Sequence, residues 1–185
     1  MRFKNGFTLI ELLICVSILA ITLGFAVPSI GNLLSRSKAD ANVRSFVQSF
    51  HLARSSAVST NKLVTICPSN NFTHCSGDWK DPIMIFTDAD NNKEISLDDK
   101  LIGSIYPSEY EIDLDVHPSR KRYFQYASTG LSHGTPGNIV FCPKNNNNQN
   151  ARQIIINFIG RIRVSQDTNH DGTVENGYGV PLNCS

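Results

Sequence analysis

One carboxylate stands inside an otherwise apolar run. In the opening MRFKNGFTLIELLICVSILAITLGF, Glu11 is the only charged residue between Phe7 and Ile30. A carboxylate at mid-bilayer costs a few kcal/mol or more, so such groups are rare and need a partner. Arginine supplies a second kind of chemistry. Arg161 and Arg163 sit two apart in a β-type run, so their stems share one face about 7 Å apart. That spacing suits neighbouring phosphates, which the planar guanidinium fork binds bidentately. The competing account is a solvated strand face. Arg120, Lys121, Arg122, Lys144 and Arg152 would widen the patch. Tyr123, Phe124 and Tyr126 offer base stacking or, more simply, core packing.

Two acidic loops have the spacing of a calcium site. Asp88, Asp90, Asn92, Ser96 and Asp99 fill places 1, 3, 5, 9 and 12 of a twelve-residue loop, with Lys93 where glycine belongs. In the second, Asp167, Asn169, Asp171 and Glu175 fill places 1, 3, 5 and 9. Gly172 is in place there, and Tyr178 stands at the closing position. An acidic turn between strands is the plainer reading, so no metal or other cofactor is expected. Cys15 lies in the apolar run and behaves as a small hydrophobe. The other four cysteines allow three connectivities. Cys67–Cys75, closing a small loop, and Cys142–Cys184, pinning the tail, are the expected pairs. A zinc site is the rival use, but there is no C-x-x-C pair and the five histidines are scattered. No nucleophile elbow, metalloprotease helix or phosphate-cradling glycine loop is present. No enzymatic activity and no small-molecule substrate are expected.

The elements that hold these residues follow from periodicity. The apolar run is about long enough to cross ~30 Å of hydrocarbon, and Arg2 and Lys4 before it favour a cytoplasmic N-terminus. Beyond it, Val43, Phe46, Val47, Phe50, Ala53 and Ala57 recur at three- and four-residue spacing, one stripe of an amphipathic helix. Residues 7 to about 61 therefore read as one helix of ~80 Å, kinked near Pro28. From 63 onward the runs LVTIC, PIMIF, KLIGSIY, EIDLDV, YFQYAS, NIVFC and RQIIINFIGRIRV read as strands parted by polar turns. The fold class is α+β: a long N-terminal helix on an antiparallel β domain. Charge is nearly balanced, 17 basic against 16 acidic residues, but unevenly placed. Residues 78–115 hold eleven acids and three lysines, and 117–166 hold seven basic residues and no acid.

The string Lys4-Asn5-Gly6-Phe7-Thr8-Leu9-Ile10-Glu11 resembles the leader signal of type IV pilins and type II secretion pseudopilins. That resemblance implies a pilin fold, with cleavage by a prepilin peptidase between Gly6 and Phe7 and methylation of the new N-terminus. It also implies that Glu11 meets the N-terminal amine of a neighbouring pilin. The β domain is similar, more loosely, to the GspH/FimT family, through Cys67, Cys75, Trp79, 85–88, Asp90, Leu101-Ile102, Gly130, Cys142 and Gly160-Arg161. Pro82 stands where that family usually has glycine, and 165–185 extends past its usual end. The implied organisation is leader 1–6, membrane half of the helix 7–30, amphipathic half 31–61 and periplasmic domain 62–185. The implied protein is a single-pass minor pilin of the bacterial inner membrane, initiating type IV pilus assembly with other pilins. The alternative is an H-type pseudopilin of a type II secretion system. A G-R-x-R motif resembles that of FimT-type pilins that bind double-stranded DNA in natural transformation.

Overall fold

The computed structural model describes residues 8–106, 112–118, 121–134, 136–143 and 148–184, with side chains at 25–29, 32 and 35 outside the described set. The chain divides into two units, Met1–Ser37 and Lys38–Ser185. One helix, α1 (Leu9–Thr60), enters both. The kink expected at Pro28 falls among the side chains not described. In the first unit, Leu9, Ile10, Leu12, Leu13, Ile14, Val16, Ile18, Leu19, Ile21 and Leu23 are all exposed. Among the described residues no helix is long and apolar enough to cross a membrane. The part of the apolar run with described side chains, up to Gly24, spans only ~24 Å at 1.5 Å per residue.

The second unit begins inside the helix because the apolar stripe does. Ala39, Val43, Phe46, Phe50, Ala53 and Ala57 are buried at successive steps of four, three, four, three and four residues, one face of a 3.6-residue period. Asn61, at φ 54°, ends the helix. Among the described residues eight strands follow: β1 (Val64–Pro68), β2 (Ile83–Thr87), β3 (Leu101–Ile105), β4 (Ile112–His117), β5 (Phe124–Tyr126), β6 (Gly137–Pro143), β7 (Arg152–Ile156) and β8 (Ile162–Val164). They form two antiparallel four-stranded sheets, ordered β3-β2-β1-β5 and β4-β6-β7-β8. Phe46 meets Phe141 of the second sheet edge-on at 4.9 Å, and Phe50 meets Phe124 of the first at 5.4 Å. One helix stripe thus closes a common core over both sheets.

β1 and β2 are buried along their whole length, so both faces need cover. The helix covers one. On the other, Cys67, Met84 and Phe86 pack with Phe72, Cys75, Ile95 and Tyr123 from the flanking loops. The disulfide Cys67–Cys75 staples that cover down, and Cys142–Cys184 staples the tail. Beneath the tail lies a small second cluster of Val140, Cys142, Ala151, Val174, Leu182 and Cys184. The run RQIIINFIGRIRV is two strands, not one. Asn157 N–H donates to Arg161 O and Gly160 N–H to Asn157 O, both at 3.0 Å, folding 157–160 into a tight turn. Phe158 and Ile159 stand exposed at its tip.

Candidate functional site

The start of α1 is a closed hydrogen-bond box. Thr8 N–H and Thr8 Oγ1 both donate to Glu11 Oε2, at 2.8 and 2.9 Å, and Glu11 N–H donates back to Thr8 Oγ1 at 3.3 Å. This is the reciprocal capping box of a Thr-x-x-Glu sequence, which satisfies donors that a helix start otherwise leaves open. Glu11 is therefore not without a partner in the single chain, as its isolation among apolar residues suggests. Its Oε2 serves the backbone N–H and hydroxyl of Thr8, while its charge has no opposite charge among the described residues. The Thr-x-x-Glu spacing was the available signal. Gly6 and Phe7, the expected cleavage pair, lie outside the described residues.

A second constellation joins helix and sheets. Arg54 Nε donates to Gly130 O at 2.8 Å and its Nη2 to Ile159 O at 3.4 Å. Gly130 (φ 77°) and Gly160 (φ 75°) take left-handed backbone. A Cβ on Gly160 would come within 2.3 Å of Gly130 O. The glycine of the Gly160-Arg161 pair is thus fixed by this approach of two turns under one guanidinium. Arg54 has no signal in the local sequence, because a side chain bonding distant backbone carbonyls leaves no local pattern. The hydroxyl of Tyr126, beside this junction, is buried with no hydrogen-bond partner among the described residues. Burial pushes its phenol pKa well above the ordinary tyrosine value.

The seven basic candidates separate. Arg120 and Lys144 lie outside the described residues. Arg152 is occupied: its Nε donates to Asp40 of α1 at 2.7 Å and its Nη1 to the carbonyls of Gln149 and Ala151. Lys121 sets its Nζ 4.7 Å from the centre of the Phe124 ring, and burial holds its pKa below the ordinary lysine value. Arg122 is exposed and packs its stem along Gly77. Arg161 and Arg163 are both exposed and form no ion pair among the described residues. Arg163 lies on β8 opposite Ile155 and lines a cleft of about 540 Å³ with Asp115, Asn138 and Tyr178. Arg161 precedes β8, in the turn. Of the aromatic candidates, Phe124 and Tyr126 are core, and Tyr123 is half-buried with Lys93 Nζ 5.4 Å from its ring centre.

The first acidic loop holds itself together. Asp88 is buried, and its Oδ2 accepts from Thr65 Oγ1 at 2.6 Å and Gln125 Nε2 at 3.3 Å. Asp99 accepts from Ala89 N–H and Ser96 N–H. Asn92 Nδ2 donates to Asp90 Oδ2 and to Ser96 Oγ, both at 2.8 Å. Donors of the protein thus occupy the side-chain oxygens of Asp88, Asp90 and Asp99, as an acidic turn requires. Lys93 takes φ 65°, the left-handed backbone for which glycine is the usual choice at its place.

Helix and sheets together make the α+β architecture of a pilin. Among solved structures, the type IV minor pilin FimU of Pseudomonas aeruginosa superposes with a TM-score of 0.52 at 16% sequence identity, covering 71% of this chain and 90% of that one. The minor pseudopilin EpsH from the type 2 secretion system of Vibrio cholerae gives a TM-score of 0.44 at 13% identity, covering 69% of this chain and 95% of that one. No curated protein matches the chain. Residues 42–160 match the family described as type II transport protein GspH, and residues 1–27 match the prokaryotic N-terminal methylation motif. The chain belongs to the GspH family.

Proposed function

We propose that the protein is a minor subunit that helps initiate a type IV pilus. On this reading a prepilin peptidase cuts between Gly6 and Phe7. The apolar part of α1 rests in the inner membrane with the Lys38–Ser185 unit in the periplasm, then passes into a fibre of other pilins. The observation that carries the reading is the uncovered apolar helix surface, with ten large side chains each more than half exposed, inside a matched methylation motif. Apolar area of that extent needs lipid or another helix as solvent. Two intact disulfides fit an oxidising compartment. In the fibre, the Glu11 charge faces the N-terminal amine of a neighbouring subunit. The FimU fold supports a pilus, and the family description supports the alternative, an H-type pseudopilin of a type II secretion system.

Glu11→Gln tests the charge without removing the cap, since glutamine also serves at this place of a capping box. The variant is expected at normal membrane level and depleted in sheared fibres. Normal incorporation would remove the charge from assembly. Mass spectrometry of the fibre-borne protein should find methylated Phe7 at the N-terminus, and Met1 there would overturn the processing step. Loss of piliation on deletion, with protein secretion intact, separates the pilus from the secretion alternative.

A second reading adds double-stranded DNA as a ligand of Arg161 and Arg163. It is favoured by the exposure of both guanidinium groups and by the absence of acid from 117 to 166.

A further inference from the structure

The loop at 167–175 was singled out by its spacing, and no part of the assembly reading uses it. It lies past residue 160, where the family match ends, so the family's shared architecture does not account for it. Its backbone turns as an oxygen-lined loop. His170 N–H and Gly172 N–H donate to the two oxygens of Asp167 at 2.7 and 2.9 Å. Asp171 N–H donates to Asn169 Oδ1 at 2.9 Å and Thr173 N–H to Asp171 Oδ1 at 2.8 Å. Gly172, at φ 90°, supplies the sharp turn. One carboxylate oxygen from each of Asp167, Asp171 and Glu175 lies within 4.8 Å of the others. Two calcium–oxygen bonds of 2.3–2.6 Å span about that distance.

Such a cluster alone is ordinary, and Glu175 is what makes it a site. Its side chain is 4% exposed. Thr168 N–H and Oγ1 donate to Oε2 at 2.8 and 3.0 Å, while Oε1 is buried with no hydrogen-bond partner among the described residues. A buried carboxylate oxygen with no donor carries a desolvation cost. Arg163 reaches a neighbouring cleft of about 250 Å³ that Glu175 also lines, yet the two form no ion pair. A cation among the three carboxylates supplies the missing partner.

We infer that 167–175 is a calcium site, with Asp167, Asn169, Asp171 and Glu175 giving side-chain oxygens and Thr173 its carbonyl. Five protein oxygens in an irregular loop suit calcium, which takes six to eight, better than magnesium, which demands strict octahedral order and keeps its waters. An oxygen-only set selects against softer metals. Tyr178, at the closing place, is 94% exposed and contributes nothing, so water completes the shell. The first loop differs at the decisive point: its buried carboxylate, Asp88, already has protein donors on both oxygens. The bound ion would clamp the tail where Val174 and Leu182 cover the second cluster.

Titration calorimetry of the EDTA-stripped full chain in detergent, with calcium chloride as the probe, tests this. One ion per chain is expected, with Kd of roughly 10⁻⁵ to 10⁻³ M and magnesium at least tenfold weaker. Asp171→Asn, an exposed change that the fold tolerates, should weaken binding at least tenfold, and Asp99→Asn in the first loop should not. Calcium should also raise the Tm of the unaltered chain but not that of Asp171→Asn. Absence of saturable binding up to about 10 mM calcium would overturn the site. So would undiminished binding by the Asp167→Asn/Asp171→Asn double variant, or equal binding of magnesium.

Discussion

At the scale of single residues, roles divide by what each polar atom can reach. Glu11 spends one carboxylate oxygen, Oε2, on its own helix start and keeps its charge. Arg54 spends its donors on two turn carbonyls. Gly160 does neither, and matters for the side chain it lacks. At φ 75° an L-residue pays about 1–2 kcal/mol. The 2.3 Å approach to Gly130 O adds a clash with backbone, which cannot swing aside. Gly160→Ala should therefore destabilise the chain by ~2 kcal/mol or more. For a chain of this size that lowers Tm by roughly 4–8 °C, readable by thermal unfolding in detergent. An unchanged Tm would mean that the junction relaxes freely. Asp171 behaves oppositely to a buried acid: hydrogen bonds from Thr173 N–H and Asn169 Nδ2 hold its pKa below the ordinary aspartate value.

At the scale of elements, the tail is a separate small structure fastened to the second sheet by Cys142–Cys184, with its own apolar cluster. The two cysteines are 42 residues apart and the Cys67–Cys75 pair 8 apart. Chain-entropy arithmetic gives ~4 and ~2.6 kcal/mol respectively. Cys142→Ser/Cys184→Ser should thus leave the helix-and-sheet core folded and make 165–184 the first site of limited proteolysis. Unchanged cleavage would show that the cluster holds the tail unaided. The sequence made the helix stripe legible, since each burial from Ala39 to Ala57 follows a 3.6 period. The strand runs were legible by composition, and both disulfides by spacing. What was hidden is non-local or masked. Residues that pair across sheets leave no local period, so one antiparallel domain was readable and its division into two sheets was not. Phe158 and Ile159 carry the apolar pattern through a turn and fuse two strands into one run. Arg54 and Arg152 bond groups 76 and 112 residues away.

At the scale of the whole molecule, the question is what the uneven charge achieves. The formal net charge of +1 attracts nothing by itself, so any pull on DNA must come from the block without acids. The fold then thins that block. Arg152 is neutralised by Asp40, and Lys121 lies against Phe124. Arg122, Arg161 and Arg163 are left exposed, with Asp115 in the same cleft as Arg163. Weak binding to duplex DNA without sequence preference is the expected result for the full chain in detergent, because phosphate contacts carry no sequence information. Each phosphate contact contributes about 0.9 to the slope of log affinity against log salt. Arg161→Gln/Arg163→Gln should therefore lower that slope by up to ~2 and cut affinity sharply at moderate salt. Asp115→Asn should strengthen binding, since it removes a negative charge, held 3.1 Å from His117 Nε2, from the cleft that Arg163 lines. Arg152→Gln should lower Tm by removing the ion pair between α1 and the second sheet and leave the slope unchanged. A double variant with wild-type affinity and slope would reduce Arg161 and Arg163 to a solvated turn and strand edge. The uncovered helix would then carry the function alone.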